Sequence, residues 1–174
     1  MEEGSQTNWC QSVTGVVLRE GKVLLARHTY GSGRGKFIVP GGYVQYGETP
    51  QDAVKREFYE ETRVRVEPRQ ILAIRFNPHD WYIAFGVEYI SGEAVSDHDE
   101  NDAVVWMDWE EALEREDVPD LTKQLIRCAV YGKGGLLPIP YAANPQRGWG
   151  YLYGVSSGED EAACRCEGWE RDAG

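Results

Sequence analysis

Glu48, Arg56, Glu57, Glu60 and Glu61 are the side chains whose types and spacing could do chemistry together. On a helix turning about 100° per residue, Glu57, Glu60 and Glu61 stand at about 0°, 300° and 40°, so they share one face. Like charges at i and i+4 cost a few tenths of a kcal/mol each. Partial burial raises that cost, and a cation relieves it. A hard divalent ion that takes oxygen ligands, such as Mg²⁺, is the natural answer. The plain alternative is a solvated acidic face, with Arg56–Glu60 and Glu61–Arg65 as i,i+4 pairs. On either reading the carboxylates are expected to be exposed and to add little to packing. What favours the cation site is attachment at fixed offsets to Glu48 and to Pro40-Gly41-Gly42, because a glycine turn offers a backbone carbonyl and lets a phosphate approach.

Several elements must position this group. Thr49 is placed to cap a helix with Pro50 in its first turn, and Ala53, Val54 and Phe58 give that helix an apolar stripe as far as Thr62. Phe37-Ile38-Val39 reads as a short strand ended by Pro40-Gly41-Gly42, where the backbone should turn sharply. Residues 13–18 and 22–28 form a hairpin around Glu20-Gly21. Residues 64–76, 81–90 and 103–106 are β-branched or aromatic runs expected as strands. Residues 110–115 and 121–131 are helical, the second with Leu121, Leu125, Ile126 and Val130 on one face.

From Lys133 onward the composition shifts to Gly, Pro, Tyr and Trp and then to acidic residues, without helical or strand periodicity. The chain therefore divides into a domain over residues 1–133 and a tail over 134–174. Trp149, Tyr151 and Tyr153 form an apolar strip in that tail, expected to dock on its own domain or on a second copy.

With 174 residues and a hydrophobic fraction of 41%, one sizeable core can be filled. A formal charge of -11 repels polyanions, so neither a nucleic acid polymer nor an anionic membrane is an expected partner. The four Cys (Cys10, Cys128, Cys164, Cys166) show no paired zinc spacing and read as reduced thiols. The polar N-terminus lacks signal-peptide order, which points to the cytoplasm.

The spacing of Gly42, Glu48, Arg56, Glu57, Phe58, Glu60, Glu61 and Val64 resembles the box of the Nudix family, G-x5-E-x7-R-E-U-x-E-E-x-G-U with U a bulky apolar residue. With its flanking strands the resemblance covers about residues 11–132. It implies an α+β fold, an α/β/α sandwich around a mixed β-sheet. It also implies metal-dependent hydrolysis of a diphosphate bond, with Mg²⁺ (or Mn²⁺) bound by Glu57, Glu60, Glu61 and the Gly41 carbonyl. Arg56 and Glu48 would be an orienting ion pair, and the metal would activate the attacking water. The implied substrate is a nucleoside diphosphate linked to another group, ADP-ribose-like or a dinucleotide. Homodimers are common in such a family. One position departs: Arg63 stands where the box has Gly, a site suited to a left-handed helix end.

The general base could come from the box or from a later loop, where Asp97, Asp99 and Glu100 lie, and Glu100 is the choice; a solvated charge run is the plain reading of that loop. Arg27, Arg34 and Lys36 could hold phosphate oxygens. Trp81 and Tyr82 could stack on a nucleobase, with core packing expected for at least one of them. GSGRGK is not a phosphate-binding P-loop, because Phe37 follows Lys36 where Ser or Thr is required. His28, His79 and His98 share no metal spacing and read as surface or capping residues. The alternatives to a hydrolase are a sensing module on the same fold that binds nucleotide without turnover, and a metal-dependent isomerase.

Overall fold

The structure, a computed structural model, describes residues 10–78, 80–139 and 152–155. Strand β1 (Cys10–Arg19) lies at the centre, and Val13 to Val17 are buried. A strand covered on both faces must read as a near-continuous apolar run, as this one does. It turns at Glu20-Gly21 into β2 (Lys22–His28), with Leu18 opposite Val23. A short 3₁₀ turn at Gly31–Gly33 leads to β3 (Phe37–Ile38). Next come β4 (Gly41–Tyr43), α1 (Pro50–Thr62), β5 (Arg65–Phe76), β6 (Asp80–Ser91) and β7 (Asn101–Asp108). Helices α2 (Trp109–Glu114) and α3 (Asp120–Tyr131) complete the domain, followed by β8 (Leu137–Ile139) and β9 (Leu152–Gly154).

The main sheet has the order β3-β2-β1-β6-β5, with β4 joined to β1 and β7 to β2. β1 and β6 run parallel from Cys10 opposite Asp80 to Val17 opposite Val87, and the other pairs are antiparallel. Alternation along β1 then divides two cores. Val13 and Val17 join Phe85, Val87 and Ile71 beneath Ala53, Val54 and Phe58 of α1. Val16 and Ala84 join Ala112, Leu125 and Ile126 of α2 and α3 on the other side. The result is the expected α/β/α sandwich around a mixed sheet.

Three expectations need correction. The backbone bends at Pro40, but Gly41 and Gly42 do not turn: they form strand β4 against β1. Leu121 is exposed, and the buried side of α3 is Thr122, Leu125 and Ile126. Part of the tail is regular: β8 pairs with β9, Leu136 bridges Ile71 of β5, and the Tyr153 ring packs 6.1 Å from Phe85. The described tail thus docks on its own domain; Trp149 and Tyr151 lie outside the described residues, as does His79.

Candidate active site

Helix α1 is held firmly at both ends. The Thr49 hydroxyl accepts the Asp52 N–H at 3.2 Å, and Pro50 occupies the first turn. At the other end Arg63 has φ 62° and ψ 8°, the left-handed conformation that the box glycine would favour. The Arg63 N–H satisfies the Tyr59 carbonyl at 2.9 Å.

Between these ends the carboxylates are arranged around one guanidinium. Arg56 donates to Glu48 at 2.9 Å, to Glu57 at 2.7 Å, to Glu60 at 3.0 Å and to the Tyr43 carbonyl at 3.0 Å. Burial alone would lower the Arg56 pKa, but the hydrogen bonds to Glu48 and Glu57 more than reverse this and leave it raised. Arg56–Glu60 is the i,i+4 pair expected of a solvated face, and Glu60 is exposed. Glu61 overturns that description. It is 3% exposed and makes no ion pair with Arg65, which lies over the Tyr59 ring.

Burial, then the charges of Glu57 and Glu100, push the Glu61 carboxyl up to about 9, against a Gly41 N–H that donates to it. Its Oε2 is buried without a hydrogen-bond partner. Glu57 is likewise raised by burial, with Glu60 and Glu100 adding to the effect and Arg56 opposing it. The glycines now have a steric reason. A Cβ on Gly42 would stand 2.4 Å from the Glu57 carboxyl carbon, and one on Gly41 would stand 2.1 Å from the Val13 carbonyl oxygen.

Among the described residues no group of three His, Cys, Asp or Glu side chains stands ready to hold a metal ion. Arg56 draws Glu57 and Glu60 aside. The donor set nonetheless fits a hard cation. All its atoms are oxygens, one carboxylate oxygen is buried without a partner, and the space beside Gly42 is reserved for Glu57.

Glu100 comes to the same place from the loop before β7. It accepts a hydrogen bond from the Tyr30 hydroxyl at 3.3 Å, and its charge is felt by Glu57, Glu61 and Tyr30. Burial, then Glu100, raises the Tyr30 pKa. His28 is half-buried rather than a surface residue, with its Nε2 lacking a partner, and burial lowers its pKa against the pull of Glu100 and Asp97.

The basic and aromatic candidates fare differently. Arg27 is engaged by Asp102 at 2.7 Å and lies over Phe37, so the structure does not bring it to the carboxylates. Lys36 reaches the Glu116 carbonyl. Arg34 is exposed at the end of the 3₁₀ turn. Trp81 is 43% exposed near the start of β6, between Gln11 of β1 and Phe76 of β5, and edge-on to the Phe76 ring. Tyr82 packs with the α2/α3 core, where burial pushes its hydroxyl up to about 12.

A cleft of about 530 Å³ opens beside Glu48, lined by Gln11, Tyr43, Gln45 and Tyr46 among others. The two tyrosines were missed from sequence, although their place between Gly42 and Glu48 was a usable signal. Tyr30 was missed because its partner Glu100 lies 70 residues away in sequence.

The sandwich thus presents the carboxylate-bearing helix α1 beside the glycine strand β4. Residues 10–128 match the family model described as NUDIX domain, and the chain belongs to the Nudix family. It is 32% identical over 98 residues to an ADP-ribose pyrophosphatase of Methanocaldococcus jannaschii, covering 53% of this chain and 58% of that protein. It is 35% identical over 113 residues to a MutT-like protein of Streptomyces ambofaciens, covering 60% and 67%. The crystal structure of a MutT protein from Methanosarcina mazei superposes with a TM-score of 0.60 at 25% identity, over 75% of this chain and 99% of that one. No helix among the described residues is long and apolar enough to cross a membrane.

Proposed function

We propose that the chain hydrolyses the diphosphate linkage of a nucleoside diphosphate derivative, ADP-ribose-like or a dinucleotide. The observation that carries this is Glu61, a buried carboxyl with a partnerless oxygen, set beside Glu57 at the end of a helix built to hold both. A solvated charge run has no reason to bury a carboxylate, because doing so without a partner is costly. The similarity to a protein named ADP-ribose pyrophosphatase supports the substrate class.

Glu57, Glu60, Glu61 and the Gly41 carbonyl would hold Mg²⁺, or Mn²⁺ in its place. When bound, the ion supplies neutralisation of the diphosphate charge and activation of water. Arg56 bridges Glu48, Glu57 and Glu60 and so sets their orientation. Glu100 takes the proton of the attacking water, and the Tyr30 hydroxyl orients its carboxylate. The water oxygen bonds to phosphorus as the bridging P–O bond breaks, leaving two phosphorylated fragments. Arg34 and Trp81 are the substrate contacts in this scheme; Arg27 and Tyr82 have structural partners instead. The domain over residues 1–133 carries the whole site, residues 134–174 being an appended segment, and the cytoplasm is its setting.

The test is a panel of nucleoside diphosphate derivatives with Mg²⁺, read as phosphate released after a coupled phosphatase. Release by the wild type, lost in Glu57→Gln, is expected. Saturable binding of panel members with no release by the wild type would overturn the hydrolase in favour of a sensing module.

A further inference from the structure

Asn101 is 1% exposed at the start of β7, yet it is a polar side chain beside the last turn of α1. Its Nδ2 donates to the Glu61 carbonyl at 2.9 Å, across a sequence separation of 40 residues. A second bond runs beside it, from the Val95 N–H to the Thr62 carbonyl at 2.9 Å. With Arg63 on Tyr59, three of the carbonyls left open at the C-terminus of α1 (those of Tyr59, Glu61 and Thr62) are satisfied, two of them from the Glu100 loop.

The same residue also shapes that loop. The Asn101 N–H and the Asp99 N–H both donate to Asp97 Oδ1, at 3.1 and 3.0 Å, and the Ser96 hydroxyl donates to the Asn101 carbonyl at 2.8 Å. On the other flank, the Thr29 hydroxyl and N–H bond the carbonyls of Asp99 and Glu100. Glu100 is therefore suspended between β2 and α1, and among the described residues it is the Asn101 side chain that clamps its loop to the backbone of Glu61.

We infer that Asn101 is a positioning residue, which sets Glu100 at a fixed reach from the carboxylates of α1. The inference rests on the proposed hydrolase reading for its chemical consequence, but not for the clamp itself. No water or solvent path is required for it. Its side-chain hydrogen bond goes to main chain and not to a carboxylate, so it acts through main chain. Displacing a reacting group by about 1 Å is enough to lose roughly 10- to 100-fold in rate.

Two measurements test it on the full chain. In hydrogen exchange, Asn101→Ala should lose protection at the Val95 amide while the amides of Leu24 and Leu25, buried in β2, keep theirs. Unchanged protection at Val95 overturns the clamp, and this outcome does not depend on turnover. In kinetics, Asn101→Ala should lower kcat roughly 10-fold or more with KM changed little. Adding Glu100→Gln to Asn101→Ala should then cost much less than the same change in the wild type, since the two act as a unit. Fully additive losses overturn the link to Glu100, leaving Asn101 a structural residue. Should Asn101→Ala fold poorly, Asn101→Leu, which keeps a similar volume but has no donor for the Glu61 carbonyl, takes its place in both measurements. Absence of turnover in the wild type would instead count against the proposed function, with the exchange result still deciding the clamp.

Discussion

Helices α1 and α3 are of nearly equal length, 13 and 12 residues, and cover opposite faces of one sheet. Different forces hold them there. α3 begins at Pro119 with no side-chain cap and is fixed by the burial of Leu125 and Ile126. α1 has a side-chain cap at Thr49, a left-handed end at Arg63, and a buried polar set of Gln51, Glu61 and Thr62 beside its apolar stripe. The Thr62 hydroxyl turns back on the Phe58 carbonyl, and Asn101 and Val95 clamp the final turn. A helix that only fills space can rely on area removed from water. A helix that must present an uncomfortable carboxylate needs its ends determined by hydrogen bonds as well.

The sharpest way to break this contrast is at the carboxylates. Glu57→Gln and Glu61→Gln should each lower kcat more than about 100-fold, since even residues behind metal ligands are worth roughly 10- to 100-fold. Circular dichroism should show both variants folded. A variant at near wild-type kcat under saturating Mg²⁺ would show that the cluster is not the site.

On the α3 side the opposite pattern is expected. Leu125→Ala removes a side chain that is 2% exposed, and should cost about 2–5 kcal/mol in denaturant unfolding. Turnover per folded molecule should stay unchanged. A selective loss of kcat with little loss of stability would mean that α3 communicates with the site.

A third outcome concerns pH in chelator. The folded-state value of Glu61, about 9, lies above the ordinary 4.5. The native state therefore holds this proton more tightly than the unfolded chain does, and the stability it contributes is complete below about pH 4.5 and lost as pH rises through about 9. Melting temperature in chelator should fall across that window, and Glu61→Gln should flatten the fall. A parallel slope in the variant would place the titrating group elsewhere.

The smallest effect is expected at Arg63. Replacing it by Gly relieves a left-handed side-chain conformation and should stabilise α1 by about 1 kcal/mol or less, with kcat within a few-fold. A large gain in activity would show that Arg63 restrains the site.

The sequence made α1 legible because its signals are local: Thr49, Pro50, the apolar stripe and the box spacing all lie within one short stretch. Arg63 was legible for the same reason. The burial of Glu61 was not, because an i,i+4 charge pattern looks the same on a wet face and a dry one until the neighbouring strand is placed. Gly41 and Gly42 were misread as a turn since glycine signals both unusual dihedrals and close approach, and only the positions of Val13 and Glu57 decide between them. Asn101 left no trace, because a single Asn gains its meaning from a carbonyl 40 residues away. β8 and β9 are three residues each, too short for alternation to register.

The parallel pairing of β1 with β6 carries a consequence for how the molecule is assembled in time. Cys10 must find Asp80 and Val17 must find Val87, and the whole segment bearing β4 and α1 is the loop that this closure spans. Closing a loop of that length costs entropy before any contact repays it, and such non-local strand pairing slows folding. The bond from Asn101 to the Glu61 carbonyl is non-local in the same way, spanning 40 residues. A divalent ion held there as proposed would need this completed geometry, so it would slow the escape from the native state rather than speed folding.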